Sequence, residues 1–274
     1  MTTKYSVLMS IYFKENPNHF EECLNSILKQ TILPDEIVLV KDGELTEELD
    51  KVIEEFKLKI REINLIIIQN EKNMGLGQSL NKGITYCKHE LIARVDTDDI
   101  NYEMRMQKQL EIFKTYPEID ICGTYIEEFI TDSANVVSIR RVPTFNEDIK
   151  KKSKKKNPLN HMSVMFKKSK VLAAGNYEDV SYFEDYYLWL KMLSKGFIFY
   201  NIPEVLVSAR LNEDFYSRRG GYQYLKKEFK FQKKIYNEGF SSLLTYISNV
   251  LIRCSVRLLP QQILKKLYIG LGRN

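Results

Sequence analysis

The sequence predicts an α/β fold built on a doubly wound, mostly parallel β-sheet, and three features of the 274-residue chain lead to this prediction. Short runs of apolar residues are separated by stretches with helical periodicity. The runs are apolar at consecutive positions, as is typical of strands covered on both faces. Strand and helix alternate at the spacing of βαβ units, a topology in which ligands bind at the carboxyl ends of the strands.

The first half of the chain contains four predicted strands and the helices that connect them. We expect the strands at residues 5–12, 36–42, 64–70 and 90–96. Leucine, isoleucine and phenylalanine recur at helical spacing in the connections, and we expect helices at residues 18–30, 46–60, 75–87 and 101–113. The carboxyl ends of the first, second and fourth strands carry polar or aromatic residues, which we expect to meet at one edge of the sheet.

The regular alternation ends after residue 113. Strands are expected at residues 119–130 and 135–142, a helix at 183–196, and two further strands in 197–210 on either side of Pro203. Neither an internal repeat nor a low-complexity linker separates these parts. We therefore expect residues 1–239 to form one domain, with a nucleotide-binding half followed by an acceptor half. Residues 240–274 form a separate segment.

Basic residues are concentrated in two places. The net charge is +5, and residues 240–274 contain five Lys and Arg and no Asp or Glu, which equals the whole excess. A second basic run, KKKSKKK, occupies residues 150–156. Such local basicity indicates a surface partner and argues against general nucleic-acid binding.

Cysteine and histidine usage favours a reduced, cytoplasmic protein. The four cysteines are scattered without a CxxC pair, which argues against disulfides and against zinc, and the three histidines are too isolated for a zinc pattern. The apolar run at the N-terminus is interrupted by Lys14 and Glu15, too early for the apolar core of a signal peptide.

The stretch ELIARVDTDD, residues 90–99, ends in three closely spaced aspartates. On an extended strand Asp96 and Asp98 point to the same side, and two carboxylates at a strand end suit a hard cation such as Mg²⁺ or Mn²⁺. The alternative is that Asp98 or Asp99 caps the helix that begins near Asn101, while the other carboxylates are solvated.

Five segments, in this order, resemble those of family 2 glycosyltransferases. They are MSIYFKENPNHFEECLNSILKQTILPDEIVLVKDG, NMGLGQSLNKGI, ARVDTDDI, NPLNHMSVMFKK and FEDYYLWLKML. The resemblance covers residues 4–239, and the fold of that family, called GT-A, is a doubly wound sheet of the kind predicted above. Amphipathic helices would follow it at the C-terminus.

The resemblance implies a nucleotide-sugar donor. Ser10 and Tyr12 match positions around the nucleobase, and Asp42 matches the carboxylate that accepts a hydrogen bond from the ring N–H of the base, as uracil requires. The family often has two aspartates before the glycine, whereas this chain has Lys41 before Asp42. From the residues alone, the alternative for Asp42 is a turn aspartate before Gly43.

The same resemblance assigns Asp96 to the ribose and Asp98 to a divalent metal, Mn²⁺ or Mg²⁺, between the two phosphates. Arg94 is expected to pair with these carboxylates or with donor oxygens. Asp99 is then expected to cap the following helix.

On the acceptor side, the resemblance implies that Asp185 is the catalytic base and that Glu184 orients the acceptor. The residues also permit a structural role, because SYFE, ending at Glu184, is a capping-box pattern, and the two roles are compatible. His161 is placed near the donor sugar or the acceptor, with a structural histidine as the alternative.

Two further stretches are basic. Arg218 and Arg219, before two glycines, suit a mobile loop that closes over the donor diphosphate, or an exposed basic loop. Residues 240–274 suit amphipathic helices, split at Pro260, with basic groups toward anionic lipid. The alternative for that segment is a helical pair packed on the domain or on another subunit.

These expectations combine into an inverting glycosyltransferase at the cytoplasmic face of a membrane. It would move a sugar from a nucleotide-diphosphate donor, expected to be a UDP-sugar, to a hydroxyl of a glycan or lipid-linked glycan. One alternative is a sugar-1-phosphate nucleotidyltransferase, although SIYFKENPNHF lacks the glycine-rich loop expected after its first strand. The other is a non-catalytic, membrane-peripheral nucleotide-binding module.

Overall fold

The computed structural model describes residues 3–211 and 221–257. Within these ranges the strands are β1 Tyr5–Ile11, β2 Glu36–Lys41, β3 Asn64–Gln69, β4 Leu91–Arg94, β5 Ile100–Asn101, β6 Ile119–Phe129, β7 Val136–Arg140, β8 Met165–Lys167 and β9 Ile198–Arg210. The helices are α1 Pro17–Leu28, α2 Glu47–Lys59, α3 Leu76–Tyr86, α4 Arg105–Thr115, α5 Asn146–Ser153, α6 Lys168–Ala173, α7 Glu184–Ser194, α8 Gly221–Asn237 and α9 Leu243–Asn249. Residues 250–257 continue as a π-helical and then an α-helical turn.

All the described strands belong to one sheet, in the order β3-β2-β1-β4-β8-β6-β9-β5, with β7 paired to β6. The first four strands of this order are mutually parallel, and β6 is parallel to β9. Strand β8 is antiparallel to both of its neighbours and joins the two parallel parts. The predicted doubly wound, mostly parallel α/β sheet is confirmed.

The helices cover both faces of the sheet, which explains the apolar strands. Successive residues of β1 alternate between the two cores: Val7 and Met9 pack with α1 and α2, whereas Leu8 packs with α3 and α7. Because β1, β2 and β4 are adjacent and parallel, their carboxyl ends lie at the same edge. Tyr12, Asp42 and Asp96 therefore follow at one rim, as predicted.

The helix predicted from residue 101 begins four residues later, at Arg105. Ile100 and Asn101 instead form β5 and pair with Ser208 and Val207 of β9. A two-residue strand carries no periodicity, so the local pattern could not distinguish it from the start of a helix.

Residues 197–210 form one strand and not the predicted two. Ile202 pairs with Thr124, and Val205 pairs with Tyr125, so two residues of β9 lie in a register shift. Pro203 is in this shift, where its missing N–H costs no ladder hydrogen bond.

The C-terminal segment turns its described basic side chains inward, contrary to the prediction that they face lipid. Arg253 Nε donates to Glu228 Oε1 at 2.6 Å, and Arg257 Nη2 donates to Glu228 Oε2 at 3.1 Å. Glu228 lies on α8 and is fully buried. Apolar side chains of the same segment point outward, namely Leu243, Leu244, Ile247, Leu251 and Ile252. Within the described ranges, no helix has the length and apolar character that crossing a membrane requires.

Candidate active site

A cavity of about 510 Å³ opens between the carboxyl edge of the sheet and the start of α7. Among the described residues, its lining includes Asp96, which follows β4, and Glu184 and Asp185, which begin α7. Arg94 and His161 line the same cavity. The fold thus brings together five of the predicted site residues from both halves of the sequence.

Asp185 is held by two hydrogen bonds. Its Oδ2 accepts from Asn157 Nδ2 at 2.6 Å, and its Oδ1 accepts from the backbone N–H of Tyr186 at 2.7 Å. Burial raises the pKa of the Asp185 carboxyl, and these hydrogen bonds oppose the change. A carboxylate with raised proton affinity and fixed orientation has the properties of a general base.

Glu184 lies beside Asp185, and burial together with the negative charge of Asp185 raises its pKa to about 7. The first turn of α3 approaches it closely: a Cβ at Gly77 would lie 3.0 Å from Glu184 Cβ. A side chain at position 77 would therefore require Glu184 to shift by a few tenths of an ångström. The predicted capping box is wrong, because the N-cap of α7 is Phe183, without a side-chain cap, and Glu184 is already the first helical residue.

Arg94 is buried at the end of β4, and its Nη2 donates to Asp96 Oδ1. The predicted pairing with a carboxylate is therefore present. Its Nε and Nη1 are buried without a hydrogen-bond partner among the described residues. Since buried donors are nearly always satisfied, these two N–H groups are available to an oxygen of a ligand or of an ordered water.

The prediction that Asp96 and Asp98 lie on an extended strand is wrong. Strand β4 ends at Arg94, and residues 97–98 form a turn. Asp99 is buried and accepts a hydrogen bond from Arg210 N at 2.9 Å, so it ties this turn to β9. The prediction that it caps the next helix is wrong, because the N-cap of α4 is Met104.

Asp98 carries a pKa raised to about 7, first by burial and then by the negative charges of Asp96 and Glu15. In residues 3–211 and 221–257, no group of three or more His, Cys, Asp or Glu is placed to hold a metal ion. The excess of negative charge around Asp98 nonetheless suits a divalent cation whose remaining ligands come from a substrate. The residues present therefore fit the predicted Mn²⁺ or Mg²⁺.

Asp42 is buried and makes three hydrogen bonds within the chain. Its Oδ1 accepts from Met74 N at 2.7 Å and from Asn70 Nδ2 at 3.0 Å, and its Oδ2 accepts from Gly75 N at 2.9 Å. These bonds fasten the loop before α3 to the end of β2. The turn-forming alternative thus has direct support, and any contact of Asp42 with a nucleobase would be additional to this role.

The two predicted nucleobase residues lie at the end of β1. Ser10 is within the strand and half-buried, whereas Tyr12 follows it, half-buried, with its ring 5.9 Å from that of Phe13 in an edge-to-face arrangement. Arg218 and Arg219, predicted to close over the diphosphate, lie outside the described residues.

His161 lines the cavity and also has structural contacts. Its Nε2 is 2.7 Å from Tyr177 Oη, and its ring centroid is 6.0 Å from that of Trp189. Burial and the positive charge of Arg94 lower the pKa of His161 well below its usual value. It therefore enters the cavity as a neutral imidazole.

Several lining residues were not predicted. Asn157, which orients Asp185, has no distinguishing pattern in the sequence. The cavity is also lined by six basic residues, Arg140, Arg141, Lys152, Lys156, Arg253 and Arg257. Two of them, Lys152 at the end of α5 and Lys156 after it, belong to the basic run at residues 150–156.

Comparison with known proteins gives consistent matches. The model of "Glycosyl transferase family 2" matches residues 6–171. An uncharacterized glycosyltransferase of Haemophilus influenzae is 42% identical over 265 residues, which is 97% of each chain. The Escherichia coli UDP-Gal:α-D-GlcNAc-diphosphoundecaprenol β-1,3-galactosyltransferase is 40% identical over 259 residues, covering 94% of this chain and 93% of that protein.

Among solved structures, the mannosyltransferase PcManGT of Pyrobaculum calidifontis, in complex with GDP-Man and Mn²⁺, superposes with a TM-score of 0.68. The match covers 99% of this chain and 81% of that one, at 15% sequence identity. At such low identity the likeness concerns the fold alone, and the predicted GT-A fold is confirmed.

Proposed function

The chain belongs to glycosyl transferase family 2, and from that premise we propose that it moves a sugar from a UDP-sugar to a hydroxyl of a lipid-linked glycan, with inversion at the anomeric carbon. The observation that carries the proposal is that one cavity contains both Asp185 and the Arg94–Asp96 pair. A base for the acceptor and contacts for the donor thus face the same space.

Asp185 is the proposed general base. It accepts the proton of the acceptor hydroxyl while that oxygen attacks the anomeric carbon, and the bond from this carbon to the diphosphate oxygen breaks. The nucleoside diphosphate leaves with the bonding electrons. Attack opposite the leaving group inverts the configuration. Asn157 keeps the carboxylate oriented, and Glu184 orients the acceptor.

The donor is held by residues at the carboxyl edge of the sheet. Ser10 and Tyr12 would contact the nucleobase, Asp96 the ribose, and the unpartnered N–H groups of Arg94 the donor oxygens. Asp42 acts by fixing the loop before α3 and contacts the base in addition. Arg218 and Arg219 would bind the diphosphate, and His161 would contact the acceptor.

Asp98 is the proposed protein ligand of Mn²⁺ or Mg²⁺. When bound, the cation would neutralise negative charge that develops on the departing diphosphate. The pKa of Asp98 is raised first by burial and then by the negative charges of Asp96 and Glu15, and this local excess of negative charge supports a cation at this position. A solved structure of similar fold is a complex with GDP-Man and Mn²⁺.

The lipid-linked acceptor and the membrane rest on two observations. The E. coli relative is named for a diphosphoundecaprenol-linked acceptor. In this chain, Leu244 and Leu251 are 80% and 64% exposed on the outer face of the C-terminal segment. We propose that residues 240–274 bring the domain of residues 1–239 to the cytoplasmic surface of a membrane.

A donor screen tests this function. Purified protein is given UDP-, GDP- and dTDP-sugars with Mn²⁺ or Mg²⁺, and release of nucleoside diphosphate is measured with and without lipid-linked acceptors. We expect release from a UDP-sugar that increases with acceptor. UDP binding without turnover on any acceptor would favour the non-catalytic module, and formation of a nucleotide sugar from a sugar 1-phosphate would favour the nucleotidyltransferase.

A further inference from the structure

Six basic side chains form one part of the cavity lining, here called the basic wall. They come from three separate stretches: the end of β7 and the residue after it, the end of α5 and its following turn, and the C-terminal segment. They are Arg140, Arg141, Lys152, Lys156, Arg253 and Arg257.

Hydrogen bonds hold these stretches together. Arg253 Nη1 donates to the carbonyl oxygen of Lys155 at 2.9 Å, and Asn249 Nδ2 donates to that of Lys154 at 2.9 Å. Arg140 Nη2 donates to the carbonyl oxygen of Leu159 at 3.4 Å. The C-terminal segment and β7 are therefore both fixed against residues 154–159, and the basic wall is a built surface.

Among the described residues, Arg253 and Arg257 of the basic wall have a carboxylate partner, whereas its two lysines have none. Glu228 is shared by Arg253 and Arg257. Within the described residues, Lys152 and Lys156 have no carboxylate within salt-bridge distance. Partial burial and the neighbouring positive charges of Lys152, Arg140 and Arg253 lower the pKa of Lys156 to about 8. Like charges this close favour a bound anion.

The other lysines of the same helix behave differently. Lys150 pairs with Glu147 at 3.0 Å, and Lys151 pairs with Asp148 at 3.5 Å, both on the outer face of α5. Of these four lysines, Lys150 and Lys151 are neutralised on the outer face, whereas Lys152 and Lys156 line the cavity without a carboxylate partner among the described residues.

The basic wall begins beside the proposed base. Lys156 immediately precedes Asn157, whose side chain donates to Asp185 at 2.6 Å. An anion bound there would lie close to the acceptor hydroxyl. Among the described residues, Asp98, the proposed metal ligand, does not line the cavity, so we expect the donor diphosphate on the side of Arg94 and Asp96 and not on the basic wall.

An apolar surface continues from the same wall. Ile252 and Val256 line the cavity, and Ile252 is 63% exposed. Leu251 and Leu244 extend this surface outward along the C-terminal segment. A ligand with a charged head on the basic wall could therefore lead an aliphatic chain away over apolar side chains.

We propose that the basic wall binds the diphosphate of the acceptor, with the glycan directed toward Asp185 and the lipid toward the apolar surface. This inference rests on the proposed transfer to a lipid-linked glycan. It adds that the enzyme recognises the diphosphate linkage itself. A site for headgroups of the bulk membrane would have no reason to lie next to Asn157, the residue that orients the proposed base Asp185.

Direct binding tests the proposal without requiring turnover. Octyl diphosphate is titrated into the full-length protein by calorimetry, in the presence of saturating UDP so that the donor site is occupied. Lys152→Gln combined with Lys156→Gln should weaken binding about 10- to 100-fold, because two charge-assisted contacts are lost. The matched control, Lys150→Gln with Lys151→Gln, removes the same charge from the outer face and should bind as wild type does.

Three results would overturn the proposal: wild-type protein that does not bind octyl diphosphate, equal weakening by both double variants, or phosphatidylglycerol vesicles that displace octyl diphosphate at matched phosphate concentration. Circular dichroism melting of each variant separates lost binding from lost fold.

Transfer assays then compare an octyl-diphosphate-linked N-acetylglucosamine with octyl N-acetylglucosaminide. The cavity-facing variant should raise the KM of the first acceptor alone. If the protein binds octyl diphosphate but does not turn over any UDP-sugar, the proposed function is contradicted, whereas the proposed anion site is supported.

Discussion

Replacing Asp185 by Asn removes the proposed base with little change of shape. The asparagine Oδ1 can still accept from the backbone N–H of Tyr186. In wild type, Asn157 Nδ2 lies 2.6 Å from Asp185 Oδ2. In the variant the new amide nitrogen would face Asn157 Nδ2, so two donors would meet. The Asn157 side chain has to rotate, which breaks its 3.3 Å hydrogen bond from Leu159 N.

The structural cost of this substitution is small. A neutral hydrogen bond contributes about 1 kcal/mol, and removing a carboxylate whose pKa is raised by burial offsets part of that loss. The catalytic cost is large, because a positioned general base contributes about 10²- to 10⁴-fold. We therefore expect kcat to fall by this factor, equivalent to about 3–5 kcal/mol in the barrier.

Two measurements on Asp185→Asn decide the assignment. UDP affinity, measured by calorimetry, should stay close to that of wild type, because the proposed nucleotide contacts follow β1, β2 and β4. The rate of transfer should fall as calculated. In wild type, protonation of the Glu184–Asp185 pair, with Glu184 near pKa 7, should lower kcat/KM as pH falls through that region.

The reasoning would be refuted by a parallel loss of UDP binding and transfer, which would place Asp185 in the donor site. Asn157→Ala is the matched control: it frees the carboxylate without removing it and should lower the rate much less than Asp185→Asn does.

Three further predictions concern the metal, the membrane and the C-terminal packing. Asp98→Ala should abolish turnover while leaving the melting temperature near that of wild type, and EDTA should have the same effect on wild type; full activity in EDTA would contradict the metal role. Leu244→Glu with Leu251→Glu should weaken co-sedimentation with liposomes about 100-fold even at high salt, since apolar burial carries this contact; unchanged binding would exclude this face. Arg253→Met should lower the free energy of unfolding by about 3 kcal/mol in urea titrations, because it leaves the buried Glu228 with less compensation. No loss in that titration would show that Arg257 alone neutralises Glu228.

The alternation of strands and helices in the first half of the chain was predictable because local patterns of apolar residues indicate each element. Residues 5–12 and 36–42 are apolar runs, and each is followed by a helix with one apolar face. The short strands β5 and β8 were missed because two or three residues carry no periodicity. They exist only because distant strands offer backbone partners.

In the candidate site, too, contacts between residues close in sequence were predicted and contacts between distant residues were not. The pairing of Arg94 with Asp96 is a contact between residues two apart, and it was predicted. The contact between Asn157 and Asp185 joins positions that only the folded chain brings together. Asp99 was misassigned because its partner, the backbone N–H of Arg210, lies on β9. Sequence spacing could identify it as an aspartate near a helix start and nothing more.

The C-terminal segment shows how composition misleads when an acid is far away in the sequence. Five basic residues without an acid indicated a surface for anionic lipid. Two of them, Arg253 and Arg257, pair with Glu228, which precedes the segment on α8. Charge counted within a segment therefore says little about which way its side chains face.

The contact between Gly77 and Glu184 couples two positions that are far apart in the sequence. A methyl group at 77 would meet Glu184 Cβ at 3.0 Å and Cγ at 3.3 Å, so shortening the side chain at 184 to alanine would relieve only part of the overlap. Gly77→Ala therefore requires α7 to shift by a few tenths of an ångström at Glu184, the residue next to the proposed base. Gly77→Ala and Glu184→Gly should be non-additive in a double-mutant cycle, because the second substitution removes the atoms that the new methyl group would meet. The position of the catalytic helix α7 thus depends on the absence of a side chain in the first turn of α3.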